Sequence, residues 1–469
     1  MYKELKPYGK YIETEYDWLG NVPKHWKKQT IRSITKLSNE RNGSRTDLEL
    51  LSVYREYGVI RKSSRDDNHN VESQDLSNYK YVDNGYLVLN KMKMWQGSLG
   101  VSKYKGIVSP AYIVCRLVGE LNYDYIHYLL RSSEFKTIYN RISYGIRVGQ
   151  WDMRYDDFKN IKLYIPPRSE QDHIVKFLDS KLAKINKYIR AKKKLIQVLK
   201  EQKQALINEA VTKGLNPNVK MKLSGIDWVG DIPEHWEKDK ITRLFNIIGS
   251  GTTPKSGDSS YYNGEVNWIN SGDLNDSLLN DTKKKLTIKA LIDYSTLKIY
   301  PKDTIAIAMY GASIGKLSLT KVEACCNQAC CCLCNINNKK VSIEYAFFIL
   351  FTCRNSLIEQ SKGGGQPNIS QDIIRKTWFP LPPMKEQESI IQFVKDKVQK
   401  IDKSIDSIQT EVQLINEYRT RLISDVVTGK IDVHDIVIED MDELDTDSIE
   451  IDENVVQNEE IADLEEVEI

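Results

Sequence analysis

The sequence lacks long apolar runs, and it has few cysteines for its 469 residues. No stretch approaches the roughly 18 apolar residues of a membrane helix, and the opening residues MYKELKPYGK contain no apolar signal segment. Eight cysteines in a chain of this length do not form a disulfide scaffold. We therefore expect a cytoplasmic protein without a membrane partner, long enough for about three domains.

The motifs of nucleotide, metal and hydrolytic sites are missing as well. Only three residues separate the glycines of the segment Gly311–Lys316, and Leu317 follows in place of Ser or Thr, so this is not a phosphate-binding loop. The segment Gly249–Pro254 has proline where a dinucleotide-binding loop needs its third glycine. The six histidines form no triad, and neither an HExxH motif nor paired cysteines with zinc spacing occur. The sequence thus predicts no catalytic centre, metal site or bound cofactor.

The net charge of +2 conceals an uneven distribution. From Asp432 to Ile469 there are 17 acidic residues and no Lys or Arg, so the other 67 basic and 48 acidic residues give residues 1–431 a net charge of +19. A basic body with an acidic tail indicates a polyanionic partner. The tail has too few large apolar side chains to form a core, and we expect it to be disordered.

Six of the cysteines lie between Cys325 and Cys334. On a β-strand the side chains of Cys330, Cys332 and Cys334 would share one face, and Cys331 would face the other way. Tetrahedral zinc instead requires four converging ligands. We expect these thiols to fill a buried strand as small apolar side chains.

Two sequence frames occur twice in the chain. The decapeptide DWLGNVPKHW at Asp17–Trp26 returns as DWVGDIPEHW at Asp227–Trp236, with six of ten positions identical and an offset of 210. A double proline followed by Glu-Gln, in residues 165–171, returns in residues 381–387 at an offset of 216. The histidine of each decapeptide is expected to support the same corner of the fold rather than to act in catalysis.

Each double proline precedes a long heptad pattern. The apolar seam comprises Leu178, Leu182, Ile185, Ile189, Lys192, Ile196, Leu199, Lys203, Leu206 and Ala210 in the first copy, and Val394, Val398, Ile401, Ile405, Ile408, Val412, Ile415, Arg419, Leu422 and Val426 in the second. Steps of three and four residues alternate, which predicts a coiled coil formed by two long helices. The alternative is two amphipathic helices, each packed on its own domain.

Residues 38–163 and 248–378, between these frames, have similar lengths but align poorly. The second stretch contains four polar blocks, namely Gly-Thr-Thr-Pro at 251–254, Gly-Ala-Ser-Ile-Gly-Lys at 311–316, Asn-Gln-Ala at 327–329 and Gln-Pro-Asn-Ile-Ser at 366–370. The first stretch has different blocks, namely residues 51–53, 58–60, 90–92, 97–100 and 109–112. We expect compact α/β domains, the second with a polar, glycine-lined face.

Taken together, these features resemble the DNA specificity subunit of a type I restriction–modification system. The tandem domains, repeated frames and helices carry the resemblance over residues 11–433, and the four blocks resemble target-recognition motifs of that family. The first domain resembles another branch. It lacks the Thr-Thr-Pro and Gln-Pro-Asn blocks, so no residue is transferred to it from the second domain.

The resemblance implies a mixed α+β fold with two tandem α/β target-recognition domains separated by two long helices. These helices are expected to pair as an antiparallel coiled coil with pseudo-two-fold symmetry. The predicted segments are target-recognition domain 1 at 1–163, spacer helix 1 at 164–214, target-recognition domain 2 at 215–378, spacer helix 2 at 379–431 and the acidic, disordered tail at 432–469.

The resemblance also implies a non-catalytic subunit that binds a bipartite, asymmetric site in double-stranded DNA. It would direct adenine N6-methylation or DNA cleavage by its partners. Two modification subunits are expected to dock on the helices and to carry S-adenosylmethionine, and restriction subunits to use ATP and Mg²⁺. This chain would bind no cofactor, in agreement with its lack of an Asn/Asp-Pro-Pro-Tyr/Phe motif for holding a flipped adenine.

Candidate DNA-binding side chains are chosen by their chemistry. They are Thr252, Thr253, Lys316, Gln328, Gln366, Asn368 and Ser370 in the second domain, and Tyr54, Arg61, Lys91, Lys93, Arg147 and Arg154 in the first. Asn and Gln pair bidentately with adenine, and Arg and Lys with guanine. Contact with phosphate, or a structural hydrogen bond, is an equally open role for each of them.

Two other functions remain open from the sequence. A stand-alone, sequence-specific DNA-binding regulator would need no catalytic partner and would bind its site as a single chain. A coiled-coil assembly protein with incidental basic charge would show no salt-dependent affinity for DNA.

Overall fold

The computed structural model describes residues 5–64, 73–145, 151–361 and 367–438, which form two compact units. Unit 1 is drawn from Met1–Lys193 and Gln409–Ile469, and unit 2 is Lys194–Ile408. The divisions fall inside two long helices, each of which contributes a part to both units. None of the helices in the described residues is long and apolar enough to cross a membrane.

The described residues of unit 1 form twelve short strands and four short helices, followed by the start of a long helix. The strands are β1 (Tyr11–Glu13), β2 (Asn21–Pro23), β3 (Lys27–Thr30), β4 (Thr35–Leu37), β5 (Leu51–Tyr54), β6 (Gly58–Arg61), β7 (Lys80–Val82), β8 (Tyr86–Leu89), β9 (Leu99–Val101), β10 (Gly106–Val108), β11 (Ile113–Leu117) and β12 (Lys162–Ile165). The helices are α1 (Ile31–Ile34), α2 (Tyr123–Leu130), α3 (Ser133–Ile142), α4 (Tyr155–Phe158) and the long α5 (Arg168–Lys213).

The part of unit 2 that the structure describes also forms twelve strands. They are β13 (Met221–Leu223), β14 (Asp231–Pro233), β15 (Glu237–Lys240), β16 (Phe245–Gly249), β17 (Tyr262–Ile269), β18 (Leu278–Leu279), β19 (Lys285–Leu286), β20 (Ile305–Ala308), β21 (Leu317–Thr320), β22 (Ala324–Cys326), β23 (Cys330–Ile336) and β24 (Trp378–Leu381). The helices are α6 (Ile241–Leu244), α7 (Ile288–Asp293), α8 (Ile343–Gln360), α9 (Gln371–Lys376) and the long α10 (Met384–Val427).

The central sheets of the two units have the same topology. The strand order is β4-β11-β8-β9 in unit 1 and β16-β23-β20-β21-β18 in unit 2, and the first four strands of each sheet pair antiparallel. Among the described residues, the sheet of unit 2 has one further strand, the parallel edge strand β18. Residues 38–163 and 248–378 therefore form the same central sheet although their sequences align poorly.

Alternation along the strands buries both faces of the sheet in unit 2. Ile305 and Ile307 of β20 face one core, and the alanines between and after them face another. Strand β23 repeats the pattern, because Cys330, Cys332 and Cys334 share one core whereas Cys331 lies in the other. The predicted alternation of the cysteines is therefore confirmed. Burial raises the pKa of the Cys331 thiol to about 12, so this side chain is neutral and unreactive at physiological pH.

The repeated decapeptide forms the same corner in each unit. In unit 1 a carboxylate at the start of α5, Glu170, accepts hydrogen bonds from Trp26 Nε1 at 3.0 Å and contacts His25 Nε2 at 2.8 Å. In unit 2 the corresponding atoms of Trp236 and His235 contact Glu386, at the start of α10, at 3.1 and 2.8 Å. The prediction that each histidine supports a corner of the fold is confirmed.

The same tryptophans also meet the end of the other long helix. Gly214 follows α5 with φ +77°, and a Cβ at this position would lie 3.2 Å from the Trp236 ring. Gly429 follows α10 with φ +79°, and its Cβ would lie 3.0 Å from the Trp26 ring. Glycine is thus needed both for the left-handed conformation and for the close approach. In each unit one corner fixes the beginning of one long helix and the end of the other.

The long helices pair antiparallel within each unit. In unit 1, His173 Nε2 lies 2.8 Å from the Val433 carbonyl oxygen and Lys192 Nζ lies 2.9 Å from Glu411. In unit 2, Lys203 Nζ lies 2.7 Å from Asp402. All twenty residues of the predicted seam are buried or half-buried. This confirms the paired helices over the alternative in which each helix packs on its own domain.

Candidate nucleic-acid interface

Backbone hydrogen bonds bring the four polar blocks of unit 2 to one end of its central sheet. The N–H of Gly251 donates to the Asn327 carbonyl oxygen at 3.4 Å. The N–H of Met309, immediately after β20, donates to the Ala329 carbonyl oxygen at 2.7 Å, and its own carbonyl oxygen accepts from Ile369 N at 2.7 Å. The N–H of Ala308, the last residue of β20, donates to the Lys316 carbonyl oxygen at 2.8 Å. Blocks that are up to 118 residues apart in the sequence therefore form one surface, which we call the unit 2 face.

Close packing of the backbone requires glycine in the first of these blocks. A Cβ at Gly251 would lie 1.8 Å from the Cys326 carbonyl oxygen, an impossible contact. The next residues, Thr252 and Thr253, are consequently held against the loop between β22 and β23. Thr253 Oγ1 donates to Gln328 Oε1 at 2.6 Å, so the structure joins two of the predicted DNA-binding side chains.

Three more predicted residues of unit 2 lie in described parts of the other polar blocks. Lys316 is exposed immediately before β21, and Asn368 is exposed beside the buried Ile369. Ser370 caps helix α9, where its hydroxyl oxygen accepts a hydrogen bond from Ile373 N at 3.3 Å. Gln366 lies outside the described residues. The unit 2 face thus presents hydroxyl, amide and ammonium groups, which can form hydrogen bonds with base edges and phosphates.

The same end of the central sheet in unit 1 contains a backbone hydrogen bond that matches one in unit 2. The N–H of Met153 donates to the Lys91 carbonyl oxygen at 3.0 Å, as that of Ile369 does to Met309. Residues 151–154 precede α4 as residues 367–370 precede α9. The two segments differ in number by 216, the offset already seen for the double prolines. Asp152 and Arg154 therefore correspond in position to Asn368 and Ser370. That no functional role is transferred from the second domain to the first stays a prediction.

The unit 1 face, which we define by residues 90–98, 144 and 151–154, is rich in cations and aromatic rings. Lys91 Nζ lies 3.4 Å from Asp152 Oδ2, and the Arg154 guanidinium lies 4.7 Å from the ring centroid of Tyr144. Lys93 is exposed in the same loop. The structure brings these three predicted basic residues together. Arg147 lies outside the described residues.

Two tryptophans of this face were not predicted from the sequence. The ring centroids of Trp95 and Trp151 are 5.2 Å apart with an interplanar angle of 57°. Trp95 follows two lysines in the segment KMKMW, an interleaving of basic and aromatic residues that could have indicated it. Indole rings provide flat apolar surfaces for contact with bases.

The last two candidates of unit 1 lie on the hairpin of β5 and β6. Tyr54 is at the hairpin turn, where its carbonyl oxygen accepts from Arg131 at 3.4 Å. Arg61 is at the far end of β6, where it pairs with Glu49 at 3.0 Å and lies 5.2 Å from the Tyr104 ring centroid. Arg61 is thus partly neutralised and is not part of the unit 1 face.

The described residues contain no group of three or more His, Cys, Asp or Glu side chains placed to hold a metal ion. The arrangement on both faces consists of hydrogen-bonding, cationic and aromatic groups. It is suited to binding a polyanion with readable polar edges.

Comparison with known proteins identifies relatives over most of the chain. The family described as type I restriction modification DNA specificity domain matches residues 23–198 and 233–414. The type I restriction enzyme MjaVIII specificity subunit of Methanocaldococcus jannaschii is 24% identical over 378 residues, which cover 77% of this chain and 84% of that protein. The type I restriction enzyme StySPI specificity subunit of Salmonella potsdam is 24% identical over 312 residues, 63% of each chain.

A solved structure has the same fold. It comes from work on complex assembly and conformational transition of the type I R-M system, and it superimposes with a TM-score of 0.62 at 14% sequence identity. The match covers 87% of this chain and 98% of the other.

Proposed function

The chain belongs to the type I restriction modification DNA specificity family. From this membership we propose that it determines which DNA sequence a type I restriction–modification complex recognises. The family is one of DNA specificity rather than catalysis, and the two matched regions are in tandem. The proposed target is a bipartite, asymmetric site in double-stranded DNA. Each unit binds one half-site, and unspecified base pairs separate the two.

The observation that carries this proposal is the equivalence of the two faces. Both lie at the same end of sheets with the same strand order, and a matched hydrogen bond, Met153 N to Lys91 O or Ile369 N to Met309 O, holds the corresponding segment in each. Their side chains differ, however. Amide and hydroxyl groups dominate the unit 2 face, whereas lysine, arginine and tryptophan dominate the unit 1 face. Two equivalent positions with different chemistry support two different half-sites, and hence an asymmetric target.

The partner subunits supply the chemistry in this proposal. Two modification subunits dock on the paired helices α5 and α10 and carry S-adenosylmethionine, and restriction subunits use ATP and Mg²⁺. The modification subunits extract the target adenine from the base stack, because its amino group cannot be reached inside a duplex. This chain binds DNA in the major groove, and its exposed cations fix the register on phosphates.

A genome-wide map of N6-methyladenine tests the proposal, in cells with and without this chain and with its neighbouring genes left in place. We expect one split, asymmetric motif to lose its methylation when the chain is absent. An unchanged map would contradict the proposal, and sequence-specific binding by the purified chain alone would then favour a stand-alone regulator.

A further inference from the structure

A segment outside the four polar blocks completes the unit 2 face. The Asn327 amide Nδ2 donates to Asn270 Oδ1 at 3.2 Å, which attaches one end of the segment Asn270–Ser277 to the Asn-Gln-Ala block. At the other end, the N–H of Asp276 donates to the Leu317 carbonyl oxygen at 2.8 Å. The segment therefore lies between the loop that carries Gln328 and the start of β21, beside Lys316.

An arginine from helix α8 fixes this segment. Arg354 Nη1 donates to Asp276 Oδ2 at 3.0 Å and Nη2 donates to the other carboxylate oxygen, a bidentate pair. Arg354 Nε donates to the Gly315 carbonyl oxygen at 2.8 Å. The side chains of Arg354 and Asp276 are only 20% and 26% exposed, so water screens the pair weakly. The arginine thereby joins the segment to the Gly-Ala-Ser-Ile-Gly-Lys block.

The backbone at this point is held in an unusual conformation. Asp276 has φ +63°, in the left-handed region that residues other than glycine seldom occupy. Its carboxylate Oδ1 accepts from Leu317 N at 3.1 Å as well as from Arg354, and these contacts stabilise the conformation. Such local strain persists where surrounding contacts fix it, and it is common at binding sites.

The fixed backbone presents Asn275 to solvent. Asn275 is exposed; its N–H donates to Ser318 Oγ at 3.2 Å, and its Oδ1 accepts from Ser277 Oγ at 2.6 Å. The serine hydroxyl orients the amide and leaves the second lone pair of Oδ1 available. An oriented Asn amide has the donor and the acceptor that match N7 and the N6 amino group of adenine in the major groove.

Unit 1 contains a comparable device with different chemistry. Arg131, which follows α2, donates to the carbonyl oxygens of Leu99, Arg55 and Glu56 at 2.6, 2.7 and 2.7 Å. It thus attaches the turn of the β5–β6 hairpin to the start of β9, as Arg354 attaches Asp276 beside the start of β21. Burial lowers the pKa of Arg131 to about 10, and the group remains a cation at neutral pH. In each unit an arginine therefore fixes a segment beside the fourth strand of the central sheet, β9 in unit 1 and β21 in unit 2.

We propose that Asn275 contacts a base of the half-site bound by unit 2, and that Arg354 and Asp276 are the positioning residues that hold it there. The inference rests on the proposed function. It assigns a specificity-determining role to a segment that the polar blocks do not include.

The test compares Asn275→Ala with the matched control Asn280→Ala, an exposed asparagine beyond the other end of β18. Each full-length variant is expressed with its natural partners, and N6-methyladenine is mapped across the genome. We expect Asn275→Ala to lose about 5- to 150-fold of its discrimination at one base pair of one half-site, the range for one bidentate contact. The control should retain the original motif. An unchanged motif in Asn275→Ala would overturn the inference.

Arg354→Lys tests the positioning role, because lysine keeps the charge but loses the planar fork. We expect it to relax the same base pair as Asn275→Ala, with the other half-site unaffected. A uniform fall in methylation without change of motif would instead indicate a structural role and overturn the assignment of Arg354. The proposed function itself fails only if removing the whole chain leaves every methylated motif in place.

Discussion

Units 1 and 2 combine a common frame with different faces. The shared corner is made by Trp26 and Glu170 in one unit and by Trp236 and Glu386 in the other, with hydrogen-bond lengths that agree within 0.1 Å. The loops at the end of each sheet have diverged to different lengths and compositions. The corner contacts are common to both units and maintain the fold. The side chains of the two faces differ without changing it.

The largest expected effect tests the independence of the faces. Replacing residues 248–378 with the same region of another member of the family should change one half-site completely and leave the other unaltered. The reason is that the corner residues and both long helices lie outside the exchanged region. Methylation mapping measures the result. A change in both half-sites would show that the two faces do not act separately.

The second expected effect concerns the spacing between half-sites. Inserting seven residues at matched points of both heptad seams should lengthen the gap by about three base pairs, since seven residues of helix rise about 10.5 Å and one base pair about 3.4 Å. Both half-site sequences should persist because neither face is altered. Methylation mapping again gives the answer, and altered half-sites would contradict a spacing role for the helices.

Much of the frame was predictable because its signals are local. The heptad seams and the alternating cysteines follow from helical and strand periodicity. The corner was visible as a repeated decapeptide, although its carboxylate partners lie 145 and 151 residues away from the histidines. The beginnings of α2 and α8 carry ordinary N-caps, Asn122 and Ser342, with hydrogen bonds of 3.0 and 3.2 Å.

The faces were less predictable because they depend on contacts between distant segments. Arg354 reaches Asp276 across 78 residues, and no local pattern indicates that pairing. The correspondence of residues 151–154 with 367–370 was available from the offset of 216, but the substitutions between them hide it. The chosen residues Thr253 and Gln328 do meet, whereas Arg61 is paired with Glu49 away from the unit 1 face.

The third expected effect follows from the unequal distribution of cysteines. Burial raises the pKa values of Cys325, Cys331 and Cys353 in unit 2 to about 12, and that of Cys115 in unit 1 to about 12. In the unfolded chain a thiol ionises near pH 8.5. Because each thiol ionises at a lower pH in the unfolded chain than in the folded protein, ionisation favours the unfolded state. The free energy of unfolding is therefore unaffected by these thiols below about pH 8.5 and declines as the pH rises towards 12. Each thiol then costs about 1.4 kcal/mol per pH unit.

Unit 2 should therefore lose stability faster than unit 1 between about pH 8.5 and 10, below the pH at which tyrosines ionise in the unfolded chain. Hydrogen exchange followed by mass spectrometry on peptides from each unit measures this difference directly. The variant Cys331→Ala provides the control because it removes one of the three titrating thiols. The loss of stability with pH that these three thiols cause in unit 2 should then fall by about one third. Equal losses in the two units would show that thiol ionisation does not govern alkaline unfolding.

The smallest expected effect separates the two corners. Tyr8 OH donates to Glu170 Oε1 at 2.7 Å in unit 1, and burial together with this hydrogen bond raises the pKa of Tyr8. At the offset of 210, unit 2 has Asn218, whose side chain cannot provide a phenol. The hydrogen bond to a largely buried carboxylate should contribute about 1.5 kcal/mol, so Glu170→Ala should destabilise the protein more than Glu386→Ala by about this amount.

A double-mutant cycle with Tyr8→Phe isolates the hydrogen bond, with the free energy of unfolding measured in denaturant. If the phenol accounts for the difference, Tyr8→Phe will make the two glutamate substitutions equivalent. If the difference persists in the Tyr8→Phe background, the corners differ instead in the packing around Trp26 and Trp236. The frame would then have diverged in its core as well as in its hydrogen bonds.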